Sequence, residues 1–474
     1  MRLARLCLIL ALALGLADAA VARPSDRQIA RGAARVLETL STIDGPVATM
    51  LIARGDRVIY RGTRGMANIE LGVPLRADQT FRIASITKMF VAATILQLEA
   101  SGKLRLDDRL SIYFPEVPNA QIITLRQLLA HTAGVSDRPR QPLMWASRRD
   151  LTTAQQVSEI AQREPAFAPG TRFSYSNSGF ILLGAVIEKV TGKPWFDVVA
   201  DALLTPLQLR RTRHADTNAI VPGRVAGYTM DRATGRFANA RFISMTVPAA
   251  AGAMESTAED LIRFIRALVN GQAVPPGGFQ AMMTPPANLG ETGPPNVAYG
   301  LGTYVWTLRS TTMVGHTGQI DGFASVVAYL PAADATIVAL GNNDVFDAQM
   351  AARRLAGIVL GRPYPEPRAV TVTPETLAAL TGDYRFDPTT LQRVLVRDGQ
   401  LYGVRGTRDP LKLQVTAEGR LYFDPDLLSY FEPVRDREGR VTGLNYFAQG
   451  EGPPHFMPRV PARQAEFALP QGVL

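Results

Sequence analysis

Cysteine is nearly absent from this chain, with one among 474 residues, at position 7. That excludes a disulfide scaffold and a cysteine-based zinc cluster. Histidine is scarce too. The four, at 131, 214, 316 and 455, are too scattered for a His-rich metal site, and no metal or organic cofactor is implied. Only five of the 51 basic residues are lysine, at 88, 103, 189, 193 and 412, and the rest are arginine. Coding bias toward arginine explains this more simply than attraction to an anionic surface. The densest cluster, Arg210-Arg211-Thr212-Arg213, does not alternate with aromatics as a nucleic-acid groove would, so no nucleic-acid partner is expected. Long apolar runs are also lacking. Residues 6–17 (LCLILALALGLA) fall short of a bilayer span. They follow Arg2 and Arg5 and lead to Ala20-Val21-Ala22, an A-x-A cleavage pattern. We read residues 1–22 as a signal peptide. The expected destination is the periplasm or the extracellular space, with no integral span left after cleavage.

What remains is an ordinary globular composition, with 46% hydrophobic residues, 33 Pro and 40 Gly. The length calls for two or three units. Residues 27–43 read as a helix, and Val47 to Ile52 with Val58 to Tyr60 as a hairpin whose turn is Arg54-Gly55-Asp56. That tripeptide also spells an adhesion ligand, but the turn explains it fully. A strongly apolar helix spans Thr87 to Leu98, with Gly102 closing it. Residues 103–290 mix Pro-rich loops with helical runs at Gly179 to Val190 and Thr257 to Val269. Four strand-like runs occupy 299–342, one of them broken at Arg309-Ser310, and a last helix covers about 349–360. Residues 361–374 begin with a stiff Pro-rich linker. Beyond it, turns at Asp398-Gly399, Glu418-Gly419 and Glu438-Gly439 fall twenty residues apart, the mark of successive hairpins in a small barrel or meander.

Three short motifs carry chemistry. Ser85-Ile-Thr-Lys88 opens the apolar helix, where residues three apart share a face. Burial and the positive helix end both favour a neutral lysine, which can take the serine proton. Tyr175-Ser-Asn177 offers a phenol to move a proton and an amide to orient lysine and substrate. His316-Thr317-Gly318-Gln319 ends a strand-like run, where glycine lets a substrate approach the edge. Alone, each motif has a bland explanation in packing or turn chemistry. His131 reads as pinning a loop, His214 and His455 as surface residues, and Trp145, Trp195 and Trp306 as packing, with Trp306 able to wall the site. Thr257-Ala-Glu-Asp260 reads as a helix cap, and Asp321, beside the third motif, as a candidate substrate selector.

Taken in order, the three motifs resemble the serine beta-lactamase/penicillin-binding-protein superfamily, and its class C-like branch in particular. The resemblance covers about residues 27–360 and includes Ile123-Thr-Leu-Arg-Gln-Leu-Leu-Ala-His131-Thr-Ala-Gly134 and Tyr299-Gly-Leu-Gly302. It implies an α+β fold, an antiparallel sheet flanked by helices plus a helical subdomain. The unit at 375–474 resembles the lipocalin-like domains appended to some of these peptidases. By position, Ser85 matches the acylated nucleophile, Lys88 its base, and Tyr175 the shuttle to the leaving group. Asn177 matches the residue that holds lysine and substrate. His316 and Thr317 match a Lys-Thr pair that faces a substrate carboxylate. The N–H groups of Ser85 and Gln319 match the oxyanion hole. Beta-lactamases of this branch more often carry Lys where His316 stands, so the resemblance does not imply efficient beta-lactamase action. The expected function is hydrolysis through an acyl-enzyme. D-amino-acid peptides and cell-wall fragments come first as substrates, then simple esters, then beta-lactams as slow substrates. A silent scaffold that keeps the fold is the non-enzymatic alternative.

Overall fold

Ile29, Ala33, Val36 and Leu37 recur at helical spacing and are buried along one side of α1 (Asp26–Thr39). This is the first element of a computed structural model that describes residues 23–39, 45–137, 148–231, 234–286, 296–424 and 428–461. The signal segment, Trp145 and the end of the 27–43 expectation lie outside the described residues.

A seven-stranded antiparallel sheet forms the centre. Its strands are β1 (Ala48–Arg54), β2 (Arg57–Arg64), β3 (Val297–Tyr299), β4 (Tyr304–Leu308), β5 (Thr311–Ile320), β6 (Phe323–Leu330) and β7 (Ala335–Gly341), in the order β3-β4-β5-β6-β7-β1-β2. The Arg54-Gly55-Asp56 tripeptide is the β1–β2 hairpin turn, and Arg309-Ser310, both at positive φ, make the β4–β5 turn. The central strands are apolar on both faces because helices cover both. Met50, Ile52, Ile337 and Ala339 pack toward α1 and α5 (Ala348–Val359). Their neighbours Leu51, Ala53, Val338 and Leu340 face the other way, with α2 (Thr87–Ala100), α3 (Asn177–Thr191) and α4 (Ala258–Val269). Alternation along a strand produces this division. Thr257 caps α4 by accepting from the N–H of Asp260, as the sequence suggested. The helical stretch between α2 and α4 forms a subdomain over one end of the sheet.

The C-terminal sheet has eight strands, each antiparallel to the next in sequence: β8 (Gly382–Arg385), β9 (Leu391–Arg397), β10 (Gln400–Arg405), β11 (Leu411–Val415), β12 (Leu421–Asp424), β13 (Tyr430–Arg435), β14 (Val441–Phe447) and β15 (His455–Pro458). The three turn glycines fall between β9 and β10, β11 and β12, and β13 and β14. Val460 N–H donates to the Asp383 carbonyl at 2.8 Å, so the last residues return to the first strand and nearly close a barrel. Leu401, Leu413, Phe423, Phe431, Leu444 and Met457 fill it. Tyr364 fastens this unit to the main body. Its hydroxyl donates to Glu451, and the Arg309 guanidinium lies 4.1 Å from its ring centre.

His214 departs from the surface position read for it. It is half-buried against Trp195 and Phe196, because its short strand pairs with Met254–Ser256 inside the subdomain. His455 is exposed. Trp306 is 2% exposed and belongs to the core beneath β4. Among the described residues, no helix is long and apolar enough to cross a membrane.

Candidate active site

Ser85 is the middle residue of a single 3-10 turn (Ala84–Ile86) that runs straight into α2. The turn enters through Ala84 at φ 45, a left-handed conformation that costs an alanine about 1–2 kcal/mol. Neighbours on both sides hold it there. Ile83 N–H donates to the Met254 carbonyl at 3.0 Å. Ser325 Oγ donates to the Ile83 carbonyl at 3.1 Å, joining the turn to the sheet. A side chain at Gly318 would place its Cβ 2.1 Å from that same carbonyl oxygen, so only glycine lets β5 approach the serine turn. Gly302, in the Tyr299-Gly-Leu-Gly302 run, serves α2 in the same way. Its Cβ would meet the Ala92 methyl at 2.5 Å, and its φ of +77 also favours glycine.

Lys88, one turn on from Ser85 and the second residue of α2, is 0% exposed. Its Nζ lies 3.1 Å from Ser85 Oγ, 2.9 Å from Asn177 Oδ1 and 2.8 Å from the Ala251 carbonyl. Burial pulls the amine down to about 7, and the Asp137 carboxylate acts against that pull. The Ala251 carbonyl belongs to a short helical turn (Ala249–Gly252) that starts at another left-handed alanine, Ala249 at φ 40. The rings of Tyr175 and Phe180 flank the amine, their centres 4.8 Å and 5.4 Å from Nζ.

Tyr175 lies in the loop that leads into α3, Ser176 caps that helix, and Asn177 is its first residue. His131 pins this segment, as expected. Its Nδ1 accepts from the Ser176 N–H at 3.1 Å, and its ring lies against Tyr175 with centroids 4.3 Å apart. Burial holds His131 neutral, its pKa far below the ordinary value. An accepting Nδ1 places the proton on Nε2.

β5 carries the third motif along the cleft. His316 and Gly318 are buried, while Thr317 is half-buried and Gln319 exposed in alternation with them. His316 Nε2 lies 2.9 Å from the Tyr299 hydroxyl, and its Nδ1 lies 2.5 Å from the Thr317 carbonyl. Burial lowers its pKa to about 3, and Lys88 pushes the same way, so the ring is neutral at pH 7. The packing selects the neutral form of this histidine. β4 pairs with β5 only as far as Gly315, so residues 316–320 have no strand partner on that side. Asp321 lies in the β5–β6 turn, half-buried, its carboxyl raised by burial and by Asp344 nearby.

The structure thus brings Ser85, Lys88, Tyr175, Asn177 and His316 together and runs Thr317, Gly318 and Gln319 alongside. Sequence reasoning missed two elements around Lys88. The Ala251 carbonyl has no side-chain signature to find. Asp137 accepts from Ser176 Oγ at 2.9 Å, Ser178 N–H at 2.7 Å, Asn177 N–H at 2.9 Å and Asn177 Nδ2 at 3.3 Å. Its one trace in the sequence is an acid placed shortly after the His131-Thr-Ala-Gly134 run.

Comparison with known proteins agrees with this geometry. The Beta-lactamase family model matches residues 17–360. The chain is 30% identical over 309 residues to Protein flp of Staphylococcus aureus (strain MW2), covering 63% of this chain and 59% of that protein. It therefore spans well under two thirds of that relative's length. It is 25% identical over 415 residues to Penicillin-binding protein 4* of Bacillus subtilis (strain 168), covering 82% of this chain and 90% of that one. The crystal structure of a D-stereospecific amidohydrolase from Streptomyces sp. matches with a TM-score of 0.62 and 29% identity, over 69% of this chain and 97% of that chain. With a serine and a buried lysine in contact at the head of α2, and a family model that spans most of its length, this chain belongs to the beta-lactamase family, within the serine beta-lactamase/penicillin-binding-protein superfamily.

Proposed function

We propose that the protein is an exported serine hydrolase that forms an acyl-enzyme on Ser85. Its substrates would be amides, peptides or esters of D-amino acids. The hydrogen-bond count at Lys88 carries this reading. A neutral amine has two N–H groups and one lone pair. Asn177 Oδ1 and the Ala251 carbonyl can only accept, so they take both N–H groups. The lone pair is left for Ser85 Oγ, 3.1 Å away. A lysine near neutrality in its pKa is well matched to take that proton at physiological pH.

In this mechanism Ser85 Oγ attacks the substrate carbonyl as its proton passes to Lys88. The N–H groups of Ser85 and Gln319 hold the negative charge that develops on the carbonyl oxygen. Tyr175, beside the amine, relays a proton to the leaving group, and the C–N or C–O bond breaks. Water then hydrolyses the ester, with the proton returned to Ser85 through the same groups. The unpaired edge of β5 at 316–320 supports an extended substrate that lies along it as an added strand. The neutral His316 supplies no fixed cation for a carboxylate on the leaving group. That favours an amide or aminopeptidase-type substrate over a carboxypeptidase one and makes beta-lactams poor substrates. The similarity to a D-stereospecific amidohydrolase supports the D-configuration. Tyr175-x-Asn177 supports the class C-like branch. The division we propose is a signal peptide at 1–22, a hydrolase unit at 27–360, a linker at 361–374 and a lipocalin-like unit at 375–474, with a periplasmic or extracellular location.

The test is hydrolysis of p-nitrophenyl butyrate and a D-amino-acid p-nitroanilide by residues 23–474, beside Ser85→Ala. Turnover is expected in the parent protein and should vanish in the variant. Equal rates in both would remove Ser85 from the reaction.

A further inference from the structure

We propose that Asp137 is a positioning residue for this site: its carboxylate fixes which end of the Asn177 amide meets Lys88, and it supplies the opposite charge that the buried amine otherwise lacks. The inference rests on the reading of Lys88 as the base. Four donors converge on this one carboxylate. Oδ1 accepts from Ser176 Oγ and Ser178 N–H, and Oδ2 accepts from Asn177 N–H and Asn177 Nδ2. An amide side chain can present either its oxygen or its NH2 group to a neighbour. Because Asp137 accepts from the NH2 group, the oxygen must turn to Lys88, where it lies 2.9 Å from Nζ. Reversed, the amide would set a donor against the amine's own donors and spoil the count that leaves the lone pair for Ser85.

The charge matters separately. Among the described residues, the side chains that interact with the amine include Ser85 on its own turn, Asn177 and Phe180 on α3, Tyr175 on the loop before it, and His131 and His316. Both histidines are held neutral by burial, so Asp137, behind Asn177, is the one anion among the described residues that acts on Lys88. Its placement just behind the reacting groups lets it tune the amine without touching substrate. Without it, burial acts unopposed and Lys88 becomes too weak a base. The device balances two opposed influences. Desolvation makes the amine neutral enough to accept a proton, and the carboxylate keeps it basic enough to want one.

The scarcity of lysine makes the test direct. In the full protein labelled with 13Cε-lysine, five lysines give five signals, and Lys88→Met identifies the one that belongs to the site. Asp137→Asn should move the Lys88 titration to lower pH, with proton affinity weakened about tenfold. Ser176→Ala removes one hydrogen bond to Asp137 and the cap of α3 but no charge. It should lower the melting temperature and leave the Lys88 midpoint in place. An unmoved midpoint in folded Asp137→Asn, or an equal shift in Ser176→Ala, would overturn the proposal. If Asp137→Asn fails to fold, Asp137→Ser is read in the same way, since its small hydroxyl can still accept from a backbone N–H. The titration needs no substrate. A protein with no turnover whose Lys88 still responds to Asp137 would end the hydrolase reading and leave the control of Lys88 by Asp137 standing.

Discussion

Lys88 and Arg353 are both sealed from solvent, at 0% and 1% exposure, yet their surroundings treat them in opposite ways. Lys88 has a partner for every hydrogen and a hydroxyl for its lone pair. Arg353, on α5 behind the central sheet, has no hydrogen-bond partner among the described residues at Nε, Nη1 or Nη2. The chemistry of the two groups explains the contrast. An amine can shed its proton and then needs only two acceptors. A guanidinium remains charged and carries five N–H donors. Burial around Lys88 favours the neutral amine that we propose as the base. Burial around Arg353 creates nothing comparable and weighs on stability. The fold buries a basic side chain in both places, but it builds a hydrogen-bond shell around the one whose charge we propose must change.

Three substitutions probe that contrast. Lys88→Met should have the largest effect, with acylation of Ser85 by p-nitrophenyl butyrate falling about a thousandfold or more in stopped-flow assays. It should also change how stability depends on pH. The folded amine, at about 7, lies below its ordinary 10.5, so between these values the unfolded chain binds more protons than the folded one. The penalty for burying Lys88 is therefore full below pH 7 and fades as pH rises toward 10.5. Thermal melts should show the parent protein gaining on Lys88→Met across that window. Equal slopes would mean that the amine is not depressed.

His316→Lys comes next in size and would place a cation beside Lys88. A penicillin carboxylate then has a fixed partner, and acylation should rise about tenfold. The new ammonium should also drive Lys88 lower and shift the acid limb of the rate profile downward. Acylation rates that match the parent between pH 5 and 8 would count against both parts.

Arg353→Met should do least. It keeps much of the volume, removes the unpaired donors and leaves turnover alone. The melting temperature should hold or rise by about 2–4 °C for each kcal/mol recovered. A clear fall would show that Arg353 has a partner in solution.

Much of this arrangement was legible in the sequence because each part had a local cause. Gly102, Arg309-Ser310 and the three turn glycines mark places where the backbone must reverse, and each reads from a few adjacent residues. Ser85 and Lys88 are fixed by helical spacing, and His316 to Gln319 by their place on an apolar strand. Asp137, Ala251 and Ser325 were not legible, since each acts through a bond to a distant segment. Asp137 lies 40 residues from the Asn177 it orients. Ser325 reaches 242 residues back to Ile83. Neither bond leaves a periodicity to detect. The half-burial of His214 was missed for the same reason, as its cover comes from Trp195 and Phe196 through a strand pairing with Met254.

The Lys88 shell also has a consequence for the order of events during synthesis. Its bonds to Asn177 and Ala251 span 89 and 163 residues, so no early portion of the chain contains the base we propose. Loop closure over such distances is slow and needs most of the main body in place. A nascent chain that has emerged only past α2 already presents Ser85 but has nothing to take its proton. The reactivity we propose for Ser85 should therefore switch on as the last long-range contacts close. A covalent serine probe added during refolding would report completion of the fold and would ignore its intermediates.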